Sequence, residues 1–185
     1  MKYPISIIRD FPAKADAFRD FIAGLRGYVK IQDGYSPEYY RLGIFTGSLD
    51  FTVGELCRYG EAELNFNCKP QRFFSAGDLP MEIYQHRTLR NDTNCAALPI
   101  FTVYGTGPGT VTVGNATINI NQLSDQVTID CDTMDAYRKV GEGAAQNKNG
   151  TISAPKFPKL MPGDNTISWT GSINHIVLKP RWWAL

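Results

Sequence analysis

Apolar and polar residues alternate with a period of two along much of the second half of the chain, which is the pattern of half-buried strands. The clearest case surrounds a Gly-Asn turn sequence at residues 114–115. A two-residue turn there pairs Val113 with Ala116 and Val111 with Ile118, so that all four side chains share one face. Turn chemistry and apolar pattern therefore predict the same β-hairpin.

Four further strands are predicted in this half, at residues 81–86, 99–105, 127–132 and 134–137. Glycines 105, 107 and 109 suggest a phosphate-binding loop, but such a loop requires a helix N-terminus directly after it. Because residues 110–113 alternate as a strand, we interpret the three glycines as a linker before the hairpin. Residues 141–150 are rich in glycine and asparagine and are interpreted as a loop.

Two more alternating runs lie near the end of the sequence. Ile167 and Trp169 fall on one face of residues 165–170, and Ile176 and Leu178 fall on one face of residues 173–178. The sequence Thr-Gly-Ser between the runs favours a turn. We therefore expect a closing β-hairpin that reverses at residues 170–172.

The first half is predicted to combine one helix with several strands. A short β-like run at residues 3–8 precedes Pro12, which suits the first turn of a helix. Apolar residues at helical spacing predict the stripe that packs on a sheet: Phe18, Phe21, Ile22 and Leu25. Strands are expected at residues 28–32, 38–46 and 61–69, and a turn-rich junction is expected at residues 75–80.

These elements predict a mainly β chain with one N-terminal helix, divided into two domains. Residues 1–75 are expected to form a small α+β domain, in which the helix lies on an antiparallel sheet. Residues 80–185 are expected to form an all-β antiparallel sandwich.

Composition argues against several classes of partner. The 185-residue chain has 19 basic and 18 acidic residues and a formal net charge of +1, so no net field draws it to nucleic acid or to an acidic membrane. No run approaches the roughly 20 apolar residues that span a bilayer. The start of the chain lacks the basic flank and apolar core of a secretory signal. We expect a protein made in a cytosol, not secreted by a signal peptide, without nucleic-acid or membrane partners.

Residue types that carry catalysis or bind metals show no characteristic spacing. His86 and His175 form no metal-binding pair, and the alternation around His175 predicts a hydrogen-bonded core histidine. Asp130, Asp132 and Asp135 supply oxygens that suit calcium, but without EF-hand spacing a solvated strand end is favoured. The four cysteines form no CxxC pair and are interpreted as reduced, mostly buried thiols: Cys57, Cys68, Cys95 and Cys131. We predict no metal, no cofactor and no enzymatic activity.

Aromatic residues provide one candidate binding site. Trp182, Trp183 and Tyr137 are candidates for a platform on which sugar rings stack. Trp169 shares a face with Ile167, which favours the alternative that the tryptophans fill the sandwich and its C-terminal seam.

An ordered set of segments carries a resemblance that extends over nearly the whole chain: LNFNCKP (64–70), PIFTVYGTGPGTVTVGNATINI (99–120), VTIDCDTMDAY (127–137), FPKLMPGDNTISWTG (157–171) and PRWWAL (180–185). In this order the segments resemble the distal tail (Dit) protein family of long-tailed bacteriophages and prophages. The resemblance implies a ring-forming N-terminal domain, without its first strands in this chain, and a galectin-like C-terminal β-sandwich.

The resemblance also implies a structural role in the virion, at the tail tip, after assembly in the bacterial cytoplasm. Members of the family form hexameric rings that link the tail tube to baseplate or host-adsorption proteins, so further copies of the chain and other tail proteins are the expected partners. A terminal strand without a neighbour and the polar face of residues 61–69 supply the candidate subunit interface. Its residues are Tyr3, Ile5, Ile7, Glu61, Glu63, Asn65 and Asn67.

A second hypothesis is a carbohydrate-binding module of a phage tail that helps attachment to the host cell wall. Its platform would be Trp182, Trp183 and Tyr137. The chain lacks the His-Asn-Arg signature of true galectins, so a galectin-like fold does not by itself imply lectin activity. Oligomeric state and glycan binding separate the two hypotheses.

Overall fold

The computed structural model of the chain describes residues 1–54, 56, 58–141 and 144–185. These residues fall into two compact units, Met1–Arg72 and Phe73–Leu185. The structure is mainly β with one helix, an α+β region followed by an all-β sandwich, which confirms the predicted fold class. The assignment of residues 1–75 and 80–185 as separate domains stays a prediction.

The first unit consists of one helix on an antiparallel sheet. Its elements are β1 Lys2–Ile8, α1 Phe11–Gly24, β2 Val29–Ile31, β3 Tyr39–Phe45, β4 Thr52–Val53 and β5 Tyr59–Phe74, the last two residues of β5 belonging to the second unit. The strand order is β1-β5-β3-β2, and β4 also pairs with β5. The strands predicted at residues 3–8, 38–46 and 61–69 are confirmed, and β5 is longer than expected.

Helix α1 packs through a stripe that begins at its first residue. Phe11, Ala15 and Ile22 are buried. A Cβ added to Gly60 of β5 would lie 2.2 Å from the Phe11 ring, so glycine allows the helix to approach the strand closely. The prediction that Phe21 belongs to the buried stripe is wrong, because this side chain is 63% exposed. A stripe that starts at residue 11 continues through residues 15, 18 and 22 and leaves residue 21 on the flank.

The second unit contains two 3-10 turns, at Ser75–Asp78 and Asn149–Thr151. Its strands are β6 Met81–Ile83, β7 Arg87–Asn91, β8 Ile100–Val113, β9 Ala116–Asp130, β10 Asp135–Val140, β11 Ala144–Asn147, β12 Ile152–Ser153, β13 Gly163–Lys179 and β14 Trp183–Ala184. The order across the sheet is β11-β10-β9-β8-β13-β6, with β12 on β9 and β7 on β13. Part of the predicted loop at residues 141–150 is therefore wrong, because β11 pairs with β10; residues 142 and 143 lie outside the described residues.

The hairpin between β8 and β9 has the predicted register. Val113 pairs with Ala116 and Val111 with Ile118. Val111, Val113 and Ile118 are buried, and Ala116 is half-buried. The outer positions are also paired: the Thr110 hydroxyl donates to the Asn119 side chain at 3.2 Å. The local turn and the burial pattern thus agree, as predicted.

Strands that the sequence separates are continuous in the structure. Residues 99–105 and 110–113 lie almost entirely in β8, and residues 165–170 and 173–178 both lie in β13. The closing hairpin predicted at residues 170–172 is therefore wrong. Gly171, with φ of 80°, stands instead where the pairing of β13 with β8 shifts register. A register shift of this kind bends a strand without reversing it.

Glycine is required at this bend because the backbones of β8 and β13 approach closely. A Cβ on Gly105 would lie 2.1 Å from the Ser172 carbonyl oxygen. A Cβ on Gly171 would lie 2.5 Å from the Pro108 carbonyl oxygen. The interpretation of glycines 105, 107 and 109 as a linker is wrong, because they lie inside β8, where its pairing with β9 shifts between Gly107 and Gly109.

Both halves of each long strand contribute to one apolar core. Phe101 and Val103 enter it from the first half of β8, and Val111 and Val113 enter it from the second. The corresponding halves of β13 contribute Ile167, Trp169, Ile176 and Leu178. Side chains from the two halves therefore meet inside a sandwich, and the predicted shared face of Ile167 and Trp169 is confirmed.

Candidate functional site

Strand β1 forms an edge of the first unit's sheet, because β5 is the one strand paired with it in the described part of the chain. The amino group of Met1 donates to the Phe66 carbonyl at 2.6 Å, and the Phe66 N–H donates to the Met1 carbonyl at 2.9 Å. Hydrogen-bonded and non-bonded pairs alternate along an antiparallel ladder. Tyr3, Ile5 and Ile7 therefore direct their backbone groups towards β5.

The intervening residues of β1 direct their backbone groups away from β5. They are Lys2, Pro4, Ser6 and Ile8. Pro4, which has no N–H, thus lies on the outward side, where no ladder bond is lost. The open edge retains three N–H donors and four carbonyl acceptors, a template on which another strand can pair.

The seven predicted interface residues all lie on β1 and β5, but on opposite faces of the sheet. One face carries Tyr3, Ile5 and Ile7, which are half-buried. The other face carries Glu61, Glu63, Asn65 and Asn67. On that face Glu63 Oε1 forms an ion pair with Lys2 Nζ at 2.8 Å. A single flat contact cannot use both faces, whereas pairing along the β1 edge reaches side chains of both. Their assignment to a subunit interface stays a prediction.

Tyr3 also connects β1 to the loop that follows β2. Its hydroxyl donates to Asp33 Oδ2 at 3.0 Å, while Asp33 Oδ1 accepts the N–H groups of Tyr35 and Ser36 at 3.1 and 3.2 Å. Burial, followed by the hydrogen bond to Asp33, raises the pKa of Tyr3 to about 12. The phenol therefore stays protonated at neutral pH and holds this loop against the strand.

Apolar side chains are exposed at one end of the β1–β5 pair. Ile8 is 69% exposed, Val53 is 47% exposed and Tyr59 is 45% exposed. Ile8 pairs with Tyr59, so the two side chains are neighbours on one face of the sheet, whereas Val53 pairs with Gly60 and lies on the other face. We call Ile8 and Tyr59 the apolar end. Such a group of exposed apolar side chains is typical of a surface that contacts another protein.

The predicted aromatic platform is divided in the structure. Trp182 and Trp183 are half-buried against the core, and the Trp183 indole N–H donates to the Ala96 carbonyl at 3.0 Å. Tyr137 is half-buried on β10, on the outer face of the sheet. Among the described residues no ring contact joins Tyr137 to either tryptophan. A role of these three residues in stacking sugars stays a prediction.

Two of the three acidic residues considered for calcium are bound by an arginine that no local sequence pattern indicates. The third, Asp135, accepts a hydrogen bond from the Asn149 side chain at 3.2 Å. Arg181 donates to Asp130 Oδ1 and to Asp132 Oδ2, each at 2.9 Å. The Arg181 and Asp130 side chains are only 17% and 16% exposed, so Asp130 is not the solvated strand end that was predicted. No group of three or more metal-binding side chains is found among the described residues. The arrangement serves as an internal ion pair that holds the C-terminal segment.

The histidines and cysteines differ in part from expectation. His175 is not a core residue: it is half-buried and stacked between Tyr84 and Tyr104, with ring centroids 5.0 and 4.5 Å away. The register shift between Ile173 and His175 explains this placement. Cys131 is buried, and burial raises its pKa to about 12. Two other cysteines, 68 and 95, are half-buried, and Cys57 lies outside the described residues.

The described part of the chain contains no helix long and apolar enough to cross a membrane. No protein-family model matches the sequence, and no curated protein matches it. Solved structures do match, and they define the fold as that of phage tail hub and baseplate proteins.

The Dit protein of phage SPP1, described as a paradigm of the hub adsorption apparatus in phages that infect Gram-positive bacteria, matches with a TM-score of 0.62. The two chains are 9% identical, and the match covers 100% of this chain and 78% of that one. The baseplate of phage P2 in its activated conformation with Ca matches with a TM-score of 0.60 and 10% identity, over 96% of this chain and 76% of that one. These matches confirm, at the level of the fold, the resemblance to the distal tail family.

Proposed function

We propose that this chain is a structural hub protein of a phage or prophage tail tip, with no catalytic role of its own. The observation that carries this proposal is the match of nearly the whole chain to two structures described as a hub and a baseplate. A match that includes both units supports a common role better than a match of one widely used sandwich would.

The proposed mechanism is symmetric self-association of the first unit into a closed ring, with six copies as the resemblance implies. The outward donors and acceptors of β1 support it, because an unpaired edge can add a strand from a neighbouring copy. A head-to-tail contact in which one surface meets a different surface closes into a ring when the rotation fits. The apolar end, at Ile8 and Tyr59, would be covered in such a contact.

The proposed partners of the ring are other tail and baseplate proteins, which would place the chain in the virion after assembly in the bacterial cytoplasm. The second unit is suited to carry such partners because its core is closed and its long strands form a rigid support. Binding surfaces built on rigid elements lose little conformational entropy when they engage a partner.

The edge-pairing step is tested with a Ser6→Pro variant. The Ser6 N–H points away from β5, so proline removes an outward donor and leaves the β1–β5 hydrogen bonds in place. Ser6→Ala is the matched control, because it changes the side chain and keeps the N–H. Size-exclusion chromatography with light scattering should show oligomers for the wild type and Ser6→Ala, and monomers for Ser6→Pro. Oligomers of unchanged mass in Ser6→Pro would exclude pairing along this edge.

A further inference from the structure

A groove of about 220 Å³ lies on the outer face of the second unit's sheet, across β10, β9, β8 and β13. Its central row is fixed by strand register: Tyr137 pairs with Thr128, Thr128 with Thr102, and Thr102 with Val177. Tyr104 and Gln126 form the next row, and Lys139 and Lys179 stand at the rim. Ile100 completes the lining.

The floor of the groove is polar and internally hydrogen-bonded. The hydroxyls of Thr102 and Thr128 are hydrogen-bonded to each other at 3.2 Å, and Thr128 is only 8% exposed. Each hydroxyl still has capacity for one more hydrogen bond. Gln126 adds an amide, and burial, followed by the charge of Asp130, raises the pKa of Tyr137, which remains a neutral donor at pH 7.

One wall of the groove is aromatic and held in place by its neighbours. The Tyr104 ring is parallel to the His175 ring, with centroids 4.5 Å apart and planes inclined by 5°, and Tyr84 stacks on the other side of His175. A fixed aromatic ring beside convergent hydroxyl and amide groups suits a ligand with one apolar face and many hydroxyls. A sugar ring has this chemistry.

The charge of the groove selects among sugars. Lys139 and Lys179 form no ion pair with any described residue. Three carboxylates lie beside the groove in the strand register, and each has a partner. Asp130 is held by Arg181, Asp135 accepts a hydrogen bond from the Asn149 side chain at 3.2 Å, and Glu82 accepts the Tyr84 hydroxyl at 2.6 Å. No carboxylate lines the groove. Two ammonium groups on a groove whose lining contains no carboxylate favour an anionic ligand.

We propose that this groove binds an acidic saccharide, a sugar unit that carries a carboxylate or a phosphate group. Its volume lies just below the roughly 300–1,000 Å³ of sites for drug-sized ligands, which fits one sugar ring. Two lysines at the rim would contact the anion while the threonine floor and Tyr104 hold the ring. This activity goes beyond a structural hub role and does not depend on ring formation.

The test is an NMR titration of the full chain with trigalacturonic acid and with glucose 6-phosphate, using maltotriose as the neutral probe. We expect binding of at least one acidic probe with a Kd of about 1 mM, typical of a small, solvent-exposed site. Amide shifts should concentrate at Thr102, Thr128 and Tyr137. Maltotriose should bind at least tenfold more weakly.

A charge-matched pair of variants tests the lysines. Lys139→Gln combined with Lys179→Gln should weaken binding of the acidic probe at least tenfold. Lys156→Gln combined with Lys159→Gln removes the same charge from exposed residues outside the groove and should leave binding unchanged. Tryptophan fluorescence checks that both variants remain folded.

Four results would overturn the proposal. The first is the absence of shifts at the groove residues with either acidic probe at about 10 mM, a concentration that would nearly saturate a millimolar site. The second is equal binding of maltotriose, and the third is unchanged binding in the Lys139→Gln, Lys179→Gln variant. A tri-glutamate peptide that binds as tightly as the saccharides would also overturn it, because the site would then recognise charge alone.

Discussion

The second unit buries a larger share of its apolar side chains than the first unit does. All the largest fully buried side chains belong to the second unit, among them Phe101, Ile129 and Leu178. In the first unit Ile8 and Phe21 are 69% and 63% exposed. The difference indicates that the sandwich is complete as a single chain, while the helix-and-sheet unit has surface that a partner can cover.

Strand length explains much of this difference. Strands β8, β9 and β13 of the second unit have 14, 15 and 17 residues, long enough to bend and to cover their own inner face. In the first unit β5 has a similar length, with 16 residues, but β1 and β3 have 7 each, β2 has 3 and β4 has 2, and α1 is its one described helix. A sheet with one long strand under one helix leaves edges and apolar ends open.

The largest effect is expected from truncating a core side chain of the second unit. Phe101→Ala should lower the free energy of unfolding by about 3–5 kcal/mol, because it leaves a cavity at a position with no exposed surface. The matched change in the first unit, Phe21→Ala, should leave the unfolding of the second unit unchanged. Urea titration followed by tryptophan fluorescence measures this, since all three tryptophans lie in the second unit. An equal loss of unfolding free energy in the two variants would contradict the difference in burial between the two units.

A smaller but clear loss is expected at the bend of the long strands. Gly171→Ala should destabilise the second unit by about 2 kcal/mol, because alanine is strained at positive φ and its Cβ would meet the Pro108 carbonyl oxygen. Gly150→Ala is the control, since a Cβ there meets nothing within 4 Å. The midpoints of thermal unfolding compare the two. A Gly171→Ala protein as stable as Gly150→Ala would show that the strands do not pass so closely.

A somewhat smaller loss of unfolding free energy is expected when the C-terminal ion pair is broken. Arg181→Gln should cost about 1–2 kcal/mol, because Asp130 is largely buried and would lose its charged partner. Arg138→Gln breaks a pair with Asp125, which is 68% exposed, and should cost less than about 0.5 kcal/mol. Urea titrations of both variants give the comparison. Equal losses would mean that burial of the Arg181 pair has no energetic consequence.

The smallest expected difference concerns thiol chemistry in the two units. Cys131 should resist iodoacetamide in the folded protein at pH 8, whereas Cys68, half-buried in the first unit, should react first. Burial raises the pKa of Cys131 from its ordinary value of 9.0 to about 12, so the protonated thiol stabilises the folded state. This stabilisation is fully present below pH 9.0 and is lost as the pH rises towards about 12. Site-resolved mass spectrometry after timed alkylation measures both thiols. Faster labelling of Cys131 would contradict the difference in burial.

Local features of the fold could be predicted from the sequence, and features that depend on distant residues could not. The hairpin at residues 114–115 was predicted in full because its turn and its paired valines lie within a few residues. The sequence around Gly171 does not distinguish a bend from a reversal, because a glycine with positive φ serves both a turn and a register shift. Only the neighbouring strand distinguishes the two.

The candidate interaction surfaces show the same limit. A strand without a partner could be expected near the N-terminus, but the direction of its backbone groups required the register of Met1 with Phe66. The ion pair between Arg181 and Asp130 joins residues 51 positions apart, and no local sequence pattern indicates it. The stacking of His175 between Tyr84 and Tyr104 likewise depends on three separate strands or their ends.

Native mass spectrometry of the wild-type chain tests the central claim most directly, since a hub must assemble copies of itself. A single closed species, with six copies as the expected number, is the predicted result. A monomer that persists at about 50 μM, a concentration at which even a micromolar contact would be largely occupied, would contradict the account.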